Sequence, residues 1–114
     1  MLSTANRIKN AKQFDEVKSK GKVFQSPNFG VAVLKTSDKD LSRFGFVIST
    51  KISKMAVHRN RVRRAFREAV RQSLSNIKGG YDMVFLIKKG VMSKTVSEIM
   101  TEVKDFLKKE EYIT

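Results

Sequence analysis

The sequence predicts an α+β domain in which helices pack on one four-stranded sheet, in the order α-β-β-β-α-β-α. Three observations support this prediction. Residues 29–36 and 43–50 alternate large apolar with mainly small side chains, which is the period of a β-strand. Residues 81–88 are largely apolar, as in a strand inside a sheet. Residues 57–76 and 96–109 repeat apolar side chains at helical spacing.

The chain begins with a polar and basic stretch, residues 1–9, which we expect to be a flexible arm of a single domain spanning residues 1–114. A short helix with a sparse apolar face is predicted over residues 10–19. A brief strand over residues 22–26 follows it, with a turn at Pro27.

The next two strands carry different side chains on their two faces. Residues 37–40 between them are polar, which predicts a hairpin. The large face is expected to pack against helices. The small face either stays open, so that a ligand backbone can approach closely, or accommodates a tightly packed helix. The large face consists of Phe29, Val31, Val33, Phe44, Phe46 and Ile48, and the small face of Gly30, Ala32, Leu34, Gly45, Val47 and Ser49.

The C-terminal part is predicted to be a strand and a helix. The strand over residues 81–88 has no alternation, so we expect it inside the sheet, covered by a crossover helix. The sequence TVSE fits a capping box, with Thr95 as N-cap and Glu98 at the third helical position. The helix that it opens should end near Lys109.

The most informative stretch is the basic segment over residues 51–72, which contains eight Lys or Arg residues and a single acid, Glu68. Its apolar residues keep helical spacing, and a polar set lies on the opposite side of the same helix. A helix of this kind buries one face and offers the other to an anion. The apolar stripe is Val62, Ala65, Phe66, Ala69, Val70 and Leu74, and the opposite set is Asn60, Arg64, Arg67 and Arg71.

The whole chain is strongly basic, with a formal net charge of +13 and a pI near 10.3. Clustering of this charge on one helix is typical of nucleic-acid-binding domains. Residues 91–114 carry a net charge of −1, so we expect this end to face away from a polyanion. No apolar stretch approaches a membrane span and no secretory signal is visible, so we expect a cytoplasmic protein without a membrane partner.

Catalytic residues and metal ligands are not assigned on this chain. It has no cysteine, its one histidine, His58, lies among arginines, and no carboxylate pair stands in an apolar context. Gly79-Gly80 precedes a strand rather than a helix, which excludes a phosphate-binding loop. We therefore expect the protein alone to perform no chemistry.

RNA binding is the favoured function. Arg gives planar, bidentate contacts to phosphate, and all six basic residues between positions 59 and 71 are Arg. The main rival is a ribosomal or RNA-chaperone protein with a similar basic surface. A DNA-binding regulator is disfavoured, because strands and not a partner helix precede the Arg-rich helix, and no DNA partner is expected.

Three side chains keep two interpretations each on the residue pattern alone. Phe14 is either a core residue under the sheet or an aromatic platform on which a base stacks. Arg63 either contacts RNA or lies along the boundary of the apolar stripe. Glu68 pairs either with Arg64 or with Arg71.

The segment AVHRNRVRRAFREAVR, residues 56–71, resembles the signature of the bacterial ribonuclease P protein family. The similarity extends over nearly the whole chain, with NRI near the start, GFVIST and Lys51 before the signature, and GYDMVFLIKKG after it. The positions that match the signature are Arg59, Asn60, Arg61, Arg64, Arg67, Glu68 and Arg71, and Arg63 stands where Lys is common.

The resemblance implies the protein subunit of a ribonucleoprotein endoribonuclease that removes the 5′ leader from precursor tRNA. The implied partners are the catalytic RNA of ribonuclease P and precursor tRNA. Mg²⁺ is the implied cofactor, bound mainly by the RNA and not by the protein, and the RNA carries out the hydrolysis. The family's fold, similar to that of a ribosomal-protein domain, includes an unusual left-handed βαβ crossover, against the usual right-handed rule.

Two sets of site residues follow from the resemblance. A leader cleft is implied at Phe14, Lys18, Ala32 and Thr50. Lys18 and Ala32 stand where relatives often have aromatic residues, and Thr50 replaces a common Lys, which favours an electrostatic grip on the leader. The implied RNA-binding set, in which Arg59 and Asn60 also contact the leader, is Lys51, Lys54, Arg59, Asn60, Arg61, Arg63, Arg64, Arg67 and Arg71.

Overall fold

The computed structural model describes residues 6–8, 10–36, 42–48 and 51–112. It is a mixed α+β structure, and its elements follow the predicted order. Two short 3₁₀ turns, which the sequence pattern did not indicate, lie at Leu74–Asn76 and Lys89–Ser93. The regular elements are α1 (Ala11–Lys20), β1 (Lys22–Gln25), β2 (Phe29–Lys35), β3 (Arg43–Val47), α2 (Ala56–Ser73), β4 (Tyr81–Ile87) and α3 (Val96–Lys109).

The four strands form one sheet in the order β1-β2-β4-β3. β1 pairs with β2 and β2 with β4 in antiparallel fashion, whereas β3 and β4 are parallel and joined through α2. The predicted interior position of β4 is confirmed. The predicted hairpin between β2 and β3 is wrong, because β4 lies between these two strands; residues 37–40 themselves lie outside the described residues. The left-handed sense of the crossover stays a prediction.

The main core lies between one face of the sheet and helices α2 and α3. Burial of the predicted large face of β2 is confirmed, and the predicted apolar stripe of α2 is buried from Val62 to Val70. Phe29, Phe66 and Phe85 meet in this core with ring centroids 5.5–6.0 Å apart. Burial of apolar area of this kind is the main term that stabilises a small domain.

The other face of the sheet carries helix α1. Val17 of α1, Ala32 of β2, Val84 of β4 and Ile8 form a second, smaller buried cluster. Of the two interpretations of the small face, the closely packed helix is therefore the one observed at Ala32. The short side chain at this position lets the helix approach the sheet.

Local capping interactions set the ends of the helices. Asn10 caps α1, where its side chain accepts a hydrogen bond from the backbone N–H of Gln13 at 2.9 Å. The predicted capping box of α3 is confirmed: the Thr95 hydroxyl accepts from the N–H of Glu98 at 3.1 Å, and the Glu98 carboxylate accepts from the N–H of Thr95 at 2.9 Å.

No helix within the described ranges is long and apolar enough to cross a bilayer.

The basic stretch at the N-terminus does not form a free arm over residues 6–8. The Ile8 N–H donates to the Phe44 carbonyl at 3.0 Å, and Arg7 forms an isolated parallel bridge with Phe44 of β3. The Ile8 side chain is only 7% exposed. The prediction of a flexible arm is therefore wrong for residues 6–8, since Ile8 gains buried contacts there; residues 1–5 and 9 lie outside the described residues.

Candidate nucleic-acid interface

Helix α2 divides its side chains between the core and the surface. We name its outward-facing polar residues, Asn60, Arg61, Arg63, Arg64, Arg67 and Arg71, the arginine face. Asn60, Arg64 and Arg71 are exposed, whereas the other three are half-buried. The predicted division into an apolar stripe and an opposite polar side is confirmed by this burial pattern. The core thus fixes which way the guanidinium groups point.

The start of α2 offers further positive charge. Met55 at the N-cap makes no side-chain hydrogen bond, and no acid occupies the first turn. The Arg59 guanidinium donates to the Ser53 carbonyl at 2.8 Å, so Arg59 also holds the loop before the helix. Lys51 and Lys54 in this loop are exposed. A helix N-terminus without an acidic cap attracts anions, because its free N–H groups and its dipole are positive.

The single acid of α2 is paired with one arginine. Arg71 donates to both carboxylate oxygens of Glu68, through Nε at 2.9 Å and through Nη2. Gln72 donates to the same carboxylate at 3.2 Å. The hydrogen bonds from Arg71, followed by that from Gln72, lower the pKa of Glu68 to about 2. The partner of Glu68 is therefore Arg71 and not Arg64.

Arg67 lies close enough to Arg63 and Arg64 on α2 for their positive charges to repel one another. Burial lowers the pKa of Arg67, and the charges of Arg7, Arg63 and Arg64 lower it further. Among the residues that the structure describes, no carboxylate forms a salt bridge with Arg61, Arg64 or Arg67. A polyanion that neutralises this cluster would relieve the repulsion, so the arginine face is suited to phosphate.

A cavity of about 210 Å³ lies where α1, β3 and α2 meet, and we name it the Phe14 cavity. The Phe14 ring rests directly on Gly45: a Cβ at that glycine would lie 2.6 Å from the ring Cζ and would overlap Cε1. Phe14 is half-buried, so it is both packed against the sheet and accessible from the cavity. The other residues that line the cavity are Arg7, Ile8, Phe44, Phe46, Arg63 and Arg67.

Arg63 contributes to both parts of the interface. Its guanidinium donates to the Asn60 side-chain oxygen at 3.3 Å, and the residue lines the Phe14 cavity together with Arg67. Arg63 is half-buried at the boundary of the apolar stripe, as one interpretation predicts, and it also lines an accessible cavity. Its contact with RNA stays a prediction. The cavity therefore combines an aromatic ring with guanidinium groups.

The other predicted cleft residues do not all join Phe14. Lys18 is exposed one helical turn after Phe14. Ala32 is fully buried, with 0% exposure, in the cluster that contains Val17. The prediction that Ala32 lines the cleft is therefore wrong, because α1 covers it. Thr50 lies outside the described residues.

The described ranges hold no group of three or more His, Asp or Glu side chains that could bind a metal ion. His58 is exposed near the start of α2.

Three contributors to the interface were not assigned from the sequence. Arg7 was placed in a flexible arm, yet it lies beside β3 and near Arg67. Gly45 is predicted only as a residue of the small face, whereas the structure shows the Phe14 ring packed directly against it. Val96, which the sequence pattern predicts on the apolar face of α3, is 39% exposed beside the arginine face. The sequence signal that could have identified Gly45 is its position as a single glycine between Phe44 and Phe46.

Comparisons with known proteins identify the family to which this chain belongs. The family described as ribonuclease P matches residues 2–111 of this chain. A ribonuclease P protein component from Pseudanabaena sp. is 32% identical over 109 residues, which cover 96% of this chain and 94% of the relative. Another, from Clostridioides difficile, is 36% identical over 108 residues, with 91% and 93% of the two chains covered.

Solved structures show the same fold. The RNase P protein of Staphylococcus aureus superimposes with a TM-score of 0.87 at 26% identity, covering 97% of this chain and all of the other. The RNase P protein of Thermotoga maritima gives a TM-score of 0.80 at 25% identity, with 90% and 96% covered. Fold and sequence therefore lead to the same group of proteins.

Proposed function

The chain belongs to the ribonuclease P protein family, and from this premise we propose that it binds the catalytic RNA of ribonuclease P and the 5′ leader of precursor tRNA. Membership implies a role in tRNA 5′ processing together with an RNA subunit. The single observation that carries the finer proposal is the uncompensated arginine face of α2, on which none of Arg61, Arg64 and Arg67 has a described carboxylate partner.

The two parts of the interface suit two parts of a ribonucleoprotein. The arginine face is long and exposed, which suits the backbone of a folded RNA. The Phe14 cavity, of about 210 Å³, combines a ring with guanidinium groups, which suits a single base of an unpaired strand. We assign the first to the catalytic RNA and the second to the leader, with Arg63 and Arg67 shared between them.

In this proposal the protein contributes electrostatics and not reacting groups. Mg²⁺ held by the RNA would activate the attacking water and stabilise the charge that develops on the phosphate. The arginines neutralise neighbouring phosphates, which lowers the Mg²⁺ concentration needed to bring RNA and substrate together. The proposal includes a cytoplasmic site of action, where both RNA partners are made.

The decisive experiment is reconstitution with the catalytic RNA of ribonuclease P and a precursor tRNA. Cleavage is measured against Mg²⁺ concentration with and without the protein. We expect the protein to shift the Mg²⁺ dependence to lower concentration. Cleavage at low Mg²⁺ that the protein leaves unchanged would overturn the proposal.

A charge-matched pair of variants makes the test specific. Arg64→Ala removes a cation from the arginine face, whereas Lys108→Ala removes one from the exposed end of α3. Cleavage with Arg64→Ala should need a higher Mg²⁺ concentration than cleavage with wild type. Cleavage with Lys108→Ala should show the same Mg²⁺ dependence as wild type. Equal effects of both would indicate that net charge, and not the arginine face, supports cleavage.

A further inference from the structure

A groove of about 500 Å³ lies between the arginine face and the start of α3. We name it the α2–α3 groove. Its apolar surface includes Ala65 and Val96, and its rim carries Arg61, Arg64 and Arg67, with Glu68 at one side. Val96 is 39% exposed, although it is a large apolar residue.

The charged groups around the groove define what it can accept. Glu68 is held by Arg71 and Gln72, and Glu98 at the start of α3 is held in the capping box of Thr95. The two carboxylates are thus already hydrogen-bonded, whereas the three arginines of the rim have no described carboxylate partner. The occupant must therefore carry negative charge at the rim.

The apolar surface adds a second requirement. A bare phosphate would be satisfied by the arginines alone and would leave the exposed side chain of Val96 uncovered. An unpaired nucleotide meets both needs, because its phosphate pairs with guanidinium groups while its flat base covers apolar side chains. The volume lies in the range of sites for small organic ligands, roughly 300–1,000 Å³.

We propose that the α2–α3 groove receives an unpaired nucleotide of the catalytic RNA, with its base against Val96 and its phosphate on Arg61 and Arg64. This inference rests on the proposed function, since it names a contact within the same RNA complex. It makes Val96 a binding residue on a helix that the basic signature does not include. Glu68 can accept a hydrogen bond from an exocyclic amino group, which favours bases that carry one.

The contact can be tested by placing a photo-crosslinking amino acid at position 96 in the full-length protein, bound to the full-length catalytic RNA. Reverse transcription then maps the adduct. We expect a crosslink at one or two unpaired nucleotides. The same amino acid at position 23, where Val23 is 48% exposed on β1, is the control and should give no crosslink at these nucleotides.

A second variant tests the same groove by charge. Val96→Glu places an acid in the first turn of α3, where acids favour the helix, so the fold should persist. The new carboxylate would compete for Arg61 and Arg64, and we expect affinity for the catalytic RNA to fall about tenfold, the loss expected for one stacked base. Val23→Glu makes the same change of net charge and should have a smaller effect.

The outcomes separate this inference from the proposed function. If cleavage at low Mg²⁺ is restored by the protein but position 96 gives no localised crosslink, the groove proposal is wrong and the subunit assignment stands. Equal losses of affinity for Val96→Glu and Val23→Glu would likewise overturn the groove proposal. If wild-type protein binds no catalytic RNA, the proposed function itself fails.

Discussion

At the scale of single residues, the pair formed by Glu68 and Arg71 shows how one acid organises a basic surface. The sequence limited the partners of Glu68 to Arg64 and Arg71, which are both one helical turn away. The spacing could not choose between them, because it does not fix side-chain rotamers. The structure places both Arg71 hydrogen bonds on Glu68 and leaves Arg64 unpaired among the described residues. The acid thus orients one arginine and leaves Arg61, Arg64 and Arg67 without a described carboxylate partner.

We predict that Glu68 titrates near pH 2, well below its ordinary pKa of 4.5. Because the pKa is lower in the folded state, the pair contributes stability above about pH 4.5 and loses it as the pH falls through 2. NMR titration of the side-chain carboxyl carbon measures this directly. Arg71→Gln should move the titration back toward 4.5, and a wild-type midpoint near 4 would contradict the prediction.

Phe14 is a residue for which the sequence leaves two interpretations open. Its spacing on a sparse helix indicated a packed residue, and the family resemblance implied a cleft. The structure seats the ring on Gly45 and leaves part of it open to the Phe14 cavity. Sequence alone could not predict this, because the contact joins two elements that are distant along the chain.

We predict that Phe14→Ala weakens binding of leader-bearing precursor tRNA more than binding of mature tRNA. Loss of one stacked base costs about 1–3 kcal/mol, which corresponds to roughly 5- to 150-fold in affinity. The measurement compares the dissociation constants of both RNAs for the reconstituted complex. Phe14→Leu is the control for packing, since it keeps an apolar side chain near Gly45 but removes the ring. Equal losses for both RNAs would return Phe14 to a purely structural role.

At the scale of elements, α2 was predictable and the pairing of strands was not. The helical spacing of apolar residues in α2 requires only local sequence, and its buried residues follow that stripe. The hairpin between β2 and β3 was expected because the two strands are consecutive. The parallel pair of β3 and β4 forms instead, with the buried Asp82 of β4 accepting two hydrogen bonds from Arg43 of β3, at 2.9 and 2.6 Å. Such a long-range ion pair has no local signature.

We predict that Arg64→Ala and Arg67→Ala each weaken binding to the catalytic RNA and reduce its salt dependence. Each lost phosphate contact should lower the slope of log affinity against log salt by roughly 0.7–0.9. Filter binding or fluorescence titration at several salt concentrations measures the slope. Lys108→Ala should leave it unchanged. Slopes equal to wild type for both arginine variants would place these side chains away from RNA.

At the scale of the whole molecule, the charge is separated between two sides. The arginine face and the start of α2 carry most of the uncompensated positive charge. A second groove, of about 270 Å³, lies between β1 and α3 and carries Glu102, Asp105 and Glu110 beside aromatic side chains. The sequence predicted this separation from the net charge of −1 over residues 91–114. The fold thus places Glu102, Asp105 and Glu110 away from the arginine face. Glu98, at the start of α3, is the exception.

We predict that placement, and not total charge, determines RNA affinity. Asp105→Lys raises the formal net charge from +13 by two units at an exposed position on α3. If net charge dominated, affinity and salt slope would both increase. Asp105 faces the groove between β1 and α3, which carries acidic side chains. We therefore expect no phosphate within a Debye length of it, about 8 Å at physiological ionic strength. The RNA affinity and the salt slope should both match those of wild type. A steeper salt slope for Asp105→Lys would show that RNA also reaches the side of the molecule formed by β1 and α3.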